Sequence, residues 1–261
     1  MIILSSSKGQ QHAAADSALA TTVPEFLPQA EQLLRHLRHL STGDLADLMH
    51  LSDPLAEHTH AQLHAMDLTS LPETGNPALL TFNGVVFQGI AAHQCNIADL
   101  EFAQQHFRIL SGLYGILRPL DRILPYRLEM GTPLANARGN TLYAYWSDLV
   151  TAHLNRALAE EQHPVLINLA SNEYAKTVLQ AQLQAPWLDI QFKEETEGRL
   201  KTVAVYAKQV RGMMARFTIQ QRITAPEDLK GFTGNGYRFR PELSTDRMWL
   251  FTRPTPSVAS Q

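Results

Sequence analysis

The sequence has only one cysteine and no long hydrophobic run, and both features limit the classes of protein to which it can belong. One cysteine, Cys95, excludes an intrachain disulfide framework and favours a reducing cytoplasm. A redox-sensing thiolate needs cations beside it, and neither Lys nor Arg neighbours Cys95 in the sequence. The apolar run at residues 2–4 is too short for a signal peptide or a membrane helix. We therefore predict a cytoplasmic protein that does not associate with membranes.

Internal repeats and the glycine-rich fingerprints of P-loop and dinucleotide-binding proteins are also absent from the sequence. A chain of 261 residues with 44% hydrophobic and 18% charged residues fits a single globular domain with an ample core. Helical and strand patterns mix without a regular βαβ rhythm. We predict an α+β fold with a mixed β-sheet flanked by helices, a single domain over residues 1–253 and a disordered tail over residues 254–261.

Each sign of charge is missing from one part of the chain. Residues 40–106 contain no Lys or Arg but eight Asp and Glu residues, whereas residues 199–222 contain six Lys and Arg residues and no acid. The net charge of −3 argues against a nucleic acid partner, but it conceals this separation. The basic region can attract an anionic partner that the acidic region repels.

The most informative stretch, residues 102–134, combines a helix, two nearby glycines and several arginines. Asn96 and Asp99 form a capping-box pattern, and apolar residues at helical spacing predict a helix that ends at Gly112. Gly115 follows three residues later. The pattern is similar to a helix-hairpin-helix, which clamps a DNA backbone without reading its sequence, although the glycine spacing is one residue longer than usual. The alternative is a helix C-cap followed by a surface turn.

Glycines in a turn let backbone N–H groups approach a phosphate, and arginine supplies forked donors that match phosphate oxygens. A second basic element, at residues 206–212, combines basic side chains with a tyrosine. This combination suits a nucleic acid backbone with a nucleobase stacked on the tyrosine ring. The alternative for that element is a solvated helix face. The predicted DNA contacts are Gly112, Tyr114, Gly115, Arg118, Arg122, Arg127, Arg138, Lys208 and Arg211.

A group of polar residues follows an apolar run at residues 165–169, which predicts a buried strand. Small polar groups after such a strand lie at the carboxyl edge of the sheet, where ligands often bind. In the competing structural interpretation, Ser171 caps a helix and the Glu173 carboxylate interacts favourably with the dipole of that helix. In the enzyme interpretation, Glu173 and Lys176 transfer a proton or hold an anion in a pocket shared with Lys8. The candidate catalytic residues are Lys8, Asn168, Ser171, Glu173, Tyr174 and Lys176.

Three potential metal ligands share one face of a predicted helix. Glu57, His60 and His64 lie at helical spacing, and three such side chains can hold a divalent ion. The alternative is a set of surface side chains in the acidic region. We predict no bound metal and no cofactor.

Several long strings resemble the YaaA peroxide-stress protein family. They are FAQQH and RILSGLYGILRPLD, then PYRLEMG, INLASNEYAK, VYAKQVRGMMARF and the glycine-aromatic pattern GF…GY…F over residues 231–239. The resemblance extends from MIILSSSK to about Phe251 and includes Lys8. It departs from the family at Asn83 and Val85, where a base and an acid are typical.

The resemblance implies a bacterial protein made under hydroperoxide stress that limits free iron and oxidative DNA damage. It also implies a single-domain α+β fold that binds DNA through a helix-hairpin-helix. On this basis we expect double-stranded DNA as the partner, bound without sequence preference. The alternative is an enzyme for a small phosphorylated or nucleotide-like substrate, with a pocket around Glu173 and Lys176. The sequence does not predict the oligomeric state.

Overall fold

A computed structural model describes residues 1–12 and 18–255. The described strands are β1 (Ile2–Ser5), β2 (Asn76–Pro77), β3 (Phe107–Ser111), β4 (Gly115–Leu117), β5 (Arg122–Ile123), β6 (Leu166–Asn168), β7 (Trp187–Thr196), β8 (Arg199–Lys201), β9 (Arg238–Phe239) and β10 (Met248–Pro254). The described α-helices are α1 (Leu27–Arg38), α2 (Thr42–Met49), α3 (Asp53–Ala65), α4 (Leu71–Thr74), α5 (Ala78–Thr81), α6 (Val85–Ile90), α7 (Ile97–His106), α8 (Leu142–Ala159), α9 (Asn172–Ala175) and α10 (Ala204–Gln220).

A mixed sheet organises the molecule, with its strands in the order β4-β3-β1-β6-β7-β10-β9 and β8 paired to β7. The five central strands run parallel, and β4, β8 and β9 pair antiparallel. Ile2 in β1 lies between Phe107 of β3 and Ile167 of β6. Parallel strands are normally covered on both faces, and β1, β3 and β6 are accordingly buried along nearly all of their length. The predicted α+β fold with a mixed sheet flanked by helices is confirmed.

The helix predicted to run from Asn96 to Gly112 is correct only in its first part. Asn96 caps α7 through a 2.9 Å bond from the Asp99 N–H to its Oδ1, and Asp99 accepts from the Asn96 N–H at 3.1 Å. The helix ends at His106, and the next five residues form β3, which is buried throughout. The apolar run fits a helix or a buried strand. Parallel pairing with β1 selects the strand.

The turn after β3 belongs to a β-hairpin, so the helix-hairpin-helix prediction is wrong for this segment. Ser111 pairs with Gly115 across the turn, and its Oγ accepts the Tyr114 N–H at 3.0 Å. Gly115 has a φ of 71°, and a Cβ there would lie 2.5 Å from the Trp146 ring. The Trp146 indole N–H donates to the Gly112 carbonyl at 2.9 Å. Both glycines therefore serve a tight turn packed under α8.

The last strand extends one residue into the segment predicted as a tail. Strand β10 continues to Pro254, and the Thr255 N–H donates to the Glu195 carbonyl at 3.0 Å. Residues 256–261, most of the predicted tail, lie outside the described residues.

Candidate ligand-binding cleft

A cleft of about 660 Å³ lies at the carboxyl edge of β1 and β6. Ser5 at the end of β1 and Leu169 just after β6 both line it. The loop at residues 6–9, the start of α6, helix α9 and the first turns of α10 contribute the other lining side chains. Loops and helix starts meet at the carboxyl edge of parallel strands, where open sheets commonly bind ligands.

Two serines connect the strand ends that form this edge. The Ser171 N–H donates to Ser5 Oγ at 2.8 Å, and the Ser5 hydroxyl lies 3.3 Å from Ser171 Oγ. Ser171 is the N-cap residue of α9, but its side chain makes no capping bond. The interpretation of Ser171 as a side-chain helix cap is therefore wrong, and its hydroxyl lines the cleft.

Tyr174 presents a neutral hydroxyl to the cleft. The Ser6 hydroxyl donates to Tyr174 Oη at 3.1 Å. Burial, with a smaller contribution from nearby Tyr126, raises the pKa of Tyr174. Tyr126 pairs with Ser111 Oγ at 2.6 Å, and burial raises its pKa to about 12. Both phenols therefore stay protonated at neutral pH and can donate hydrogen bonds.

Two carboxylates also line the cleft, and each has a defined partner. Lys8 Nζ lies 2.7 Å from Glu129 Oε2, and both side chains remain partly exposed. Glu173 Oε1 accepts the Gly131 N–H at 2.8 Å. The Glu173 backbone carbonyl accepts the Tyr143 hydroxyl at 2.9 Å. The Glu173 position is therefore fixed from two sides.

Helix α10 brings two cations to the cleft, Lys208 and Arg211, which share a face because they are three residues apart. Arg211 is half-buried, and its Nε is a buried donor without a hydrogen-bond partner among the described residues. Burial lowers the pKa of Arg211, an effect that nearby Asp189 opposes, and arginine still remains charged at neutral pH. Lys208 is exposed, and no ion pair in the described part of the chain involves it.

Four of the six candidate catalytic residues line the cleft: Lys8, Ser171, Glu173 and Tyr174. Asn168 is buried behind it, where its Nδ2 donates to Asp189 Oδ1 at 2.8 Å and its Oδ1 accepts the Ala170 N–H at 2.9 Å. Lys176 is exposed at the end of α9, does not line the cleft and forms no ion pair with Glu173 within the described residues.

The predicted DNA contacts are dispersed, and several have partners inside the protein. Arg118 donates to Asp121 Oδ1 from Nε at 3.1 Å and from Nη2 at 3.0 Å. Arg122 donates to Thr21 Oγ1 at 2.8 Å and to the Gly75 carbonyl at 2.7 Å. These guanidinium groups connect distant loops, so a phosphate would have to compete with internal acceptors.

The other predicted contacts differ in their surroundings. Tyr114 is fully buried, and Gly112 and Gly115 lie in the same packed hairpin. Arg138 is exposed and lies over the Tyr145 ring, 5.4 Å from its centroid. Arg127 lines a small recess beside Lys8, Glu129 and Tyr174. Among the nine residues, only Lys208 and Arg211 line the cleft itself.

The sequence-based site omitted Ser5, Ser6, Glu129 and Gly131. Glu129 and Gly131 lie in the string PYRLEMG, in which only Arg127 was a predicted contact. Ser5 and Ser6 directly follow the first apolar run, at residues 2–4. Polar residues directly after an apolar run were the available signal for the two serines.

A metal site and a redox-active cysteine have less support than the cleft. No group of three His, Cys, Asp or Glu side chains in residues 1–12 and 18–255 is placed to hold a metal ion, and this includes Glu57, His60 and His64. The two histidine rings instead lie 4.2 Å apart, and His64 Nδ1 is 2.9 Å from the His60 carbonyl. Cys95 is half-buried, and burial raises the pKa of its thiol, which lowers the thiolate fraction that reacts with peroxide.

The fold and the cleft define an α+β protein with a charged cleft at the carboxyl edge of a largely parallel sheet. Residues 1–243 match the family model described as peroxide stress protein YaaA. The chain is 44% identical over 254 residues to a UPF0246 protein of Tolumonas auensis, a match that covers 97% of this chain and 98% of the relative. A UPF0246 protein of Dechloromonas aromatica is 43% identical over 253 residues, with the same coverage. The chain belongs to the YaaA peroxide-stress family, as the sequence strings predicted.

Family membership makes this a peroxide-stress-related protein. Within the described residues, no helix combines the length and the apolar character needed to cross a membrane.

Proposed function

We propose that the cleft carries the peroxide-stress function by binding a phosphorylated, nucleotide-like ligand. The observation that supports this most directly is the Arg211 guanidinium, a half-buried cation whose Nε has no acceptor among the described residues. A buried donor without a partner costs about 1–3 kcal/mol, and more when it is charged. A ligand anion that accepts from Arg211 would remove that cost.

The groups around Arg211 favour phosphate as this anion. Lys208 lies on the same face of α10, and the Ser171 and Tyr174 hydroxyls also line the cleft. Helix α10 starts at Ala204, which lines the cleft together with the preceding Thr202, and the N-cap residue Val203 provides no side-chain cap. A phosphate has three or four oxygens to share among donors from several directions, and a helix N-terminus adds favourable potential.

The test is calorimetric titration of the full chain with AMP, ATP and pyrophosphate. We expect Arg211→Met to weaken binding about 10- to 100-fold, since a hydrogen bond to a charged group contributes about 1.5–3 kcal/mol. Arg35→Met is the matched control, because Arg35 is exposed on α1 and does not line the cleft. The proposal fails if the unmodified protein binds none of these compounds, or if the control variant loses as much affinity.

A nucleic acid backbone is a second candidate for the same cations. Arg199 and Lys201 are exposed on β8, and Lys201 directly precedes Thr202, which lines the cleft. Exposed basic side chains beside a cationic cleft could contact several successive phosphates of a nucleic acid backbone. Bound DNA would be shielded from oxidation, while the iron-limiting role that the resemblance implies stays a prediction.

Fluorescence anisotropy with duplex DNA over a salt series tests this second candidate. We expect a linear decrease of the logarithm of the association constant with the logarithm of the salt concentration. The slope should become shallower when Lys201 and Lys208 are both replaced by Ala, and it should vary little with DNA sequence. Equal binding at low and high salt would contradict a phosphate contact.

A further inference from the structure

The cleft holds charges of both signs, and in the described part of the chain Glu173 is not paired with any of its cations. Glu173 lines the same cavity as Lys8, Lys208 and Arg211. Within the described residues it forms an ion pair with none of them, because its Oε1 bonds to the Gly131 N–H and Lys8 pairs with Glu129. Side chains as flexible as lysine and glutamate usually pair when they can reach one another. Their separation here leaves an anionic position and a cationic position in one cavity.

The Glu173 carboxylate is fixed by its surroundings before any ligand binds. A Cβ on Gly131 would lie 3.0 Å from Glu173 Oε1, so glycine permits this close approach. The Tyr143 hydroxyl fixes the backbone carbonyl of Glu173. Glu173 Oε2 has no hydrogen-bond partner among the described residues, and it can accept a donor at little further entropic cost.

Apolar side chains complete the lining between these charged groups. Val85, Val86 and Phe87 from the start of α6 and Leu169 after β6 all contribute to the cavity. Such a surface suits the body of a ligand rather than its charged ends.

We infer that the ligand has two poles: a phosphate bound by Lys208 and Arg211, and a hydrogen-bond-donating end bound by Glu173. This inference rests on the proposed function and narrows its ligand class. A nucleoside monophosphate with an amino group on its base has this design, because the flat aromatic base separates the amino donor from the ribose and its phosphate. A linear polyphosphate lacks donors at its far end and would place negative charge against the Glu173 carboxylate, where like charges repel.

The experiment compares ligands with one pole and with two poles. Tripolyphosphate, ribose 5-phosphate and AMP are titrated into the unmodified protein, Glu173→Gln, Arg211→Met and the control Glu101→Gln, since Glu101 is exposed on α7 and does not line the cleft. We expect Glu173→Gln to weaken AMP about tenfold, because a charge-assisted hydrogen bond is lost. The same substitution should leave tripolyphosphate binding unchanged or make it tighter, because a repulsive charge is removed. Arg211→Met should weaken all three ligands.

A second variant displaces the Glu173 carboxylate without changing its charge. Gly131→Ala places a methyl group against Glu173 and should reduce the preference for AMP over tripolyphosphate, with thermal unfolding used to verify that the variant is folded. The inference is refuted if Glu173→Gln weakens AMP and tripolyphosphate equally, or changes neither. It is refuted together with the proposed function if the unmodified protein binds no phosphate compound.

Discussion

The contact between α6 and α10 offers a sharp test of how the cleft is assembled. A Cβ added to Gly212 in α10 would lie 2.0 Å from the Val86 carbonyl oxygen and 3.0 Å from Gly89 Cα. Both obstacles are backbone atoms, so a change of rotamer cannot relieve the clash. Gly212→Ala should therefore force the two helices apart. Because α6 and α10 both line the cleft, the substitution should also lower the affinity for phosphate ligands.

The expected loss of stability follows from two opposing contributions. Overpacking at a rigid buried contact costs about 3 kcal/mol, the upper end of the usual range. Alanine is favoured over glycine in a helix interior by about 1 kcal/mol, which offsets part of that cost. The net loss should be about 2 kcal/mol, equivalent to a decrease in Tm of about 4–8 °C for a chain of this size.

Differential scanning calorimetry measures this decrease, with Gly43→Ala as the matched control. Gly43 also lies in a helix, α2, but a Cβ there would be 3.8 Å from Ser41 Oγ, an ordinary contact. The control should gain up to about 1 kcal/mol from helix propensity alone. A Gly212→Ala variant as stable as the unmodified protein would refute the close helix contact on which the cleft depends.

Three further predictions concern other contacts. Arg253 and Glu194 form a buried ion pair with a 2.9 Å bond, so Arg253→Met should lower the free energy of unfolding in urea by about 3–5 kcal/mol. An unchanged free energy of unfolding would contradict a buried ion pair. Asn96→Ala removes the capping box of α7 and should cost about 1 kcal/mol, whereas an unchanged urea midpoint would exclude the cap. Hydrogen bonds from Ser41 lower the pKa of Asp44 from 3.8, so Asp44 stabilises the folded state at neutral pH. This stabilisation should be lost as the pH falls through the lowered pKa. The unmodified protein should therefore have a higher Tm than Asp44→Asn at neutral pH but not in acid. A Tm difference that persists in acid would contradict a stabilising Asp44 carboxylate.

The sequence predicted those features of the fold that depend on neighbouring residues. The start of α7 follows from Asn96 and Asp99, whose reciprocal bonds need only a three-residue spacing. The strand Leu166–Asn168 follows from an apolar run bounded by polar residues. The basic character of α10 could be read directly from the absence of acids. Local patterns of this kind are reliable because the interacting groups are close in the chain.

Local patterns were misleading where distant partners select the conformation. The apolar residues 107–111 fit a helix, but the open edge of β1 offered hydrogen bonds for a strand. The two glycines that suggested a DNA clamp are instead required by distant neighbours: a Cβ on Gly115 would meet the Trp146 ring, and a Cβ on Gly112 would meet the Leu128 carbonyl. Arg118 and Arg122 looked available for phosphate because their distant acceptors could not be recognised: the Val23 carbonyl for Arg118, and Thr21 Oγ1 and the Gly75 carbonyl for Arg122.

The sequence by itself determined the family, the α+β class and most of the residue types that the site would use. Lys8, Ser171, Glu173, Tyr174, Lys208 and Arg211 were all candidates, but they were divided between two unrelated functions. Only the tertiary structure placed them around one cleft, because parallel pairing of β1 with β6 aligns their carboxyl ends and α10 packs across α6. The physical reason is that a binding site depends on the convergence of distant strand ends and helix starts, which residue spacing along the chain does not specify.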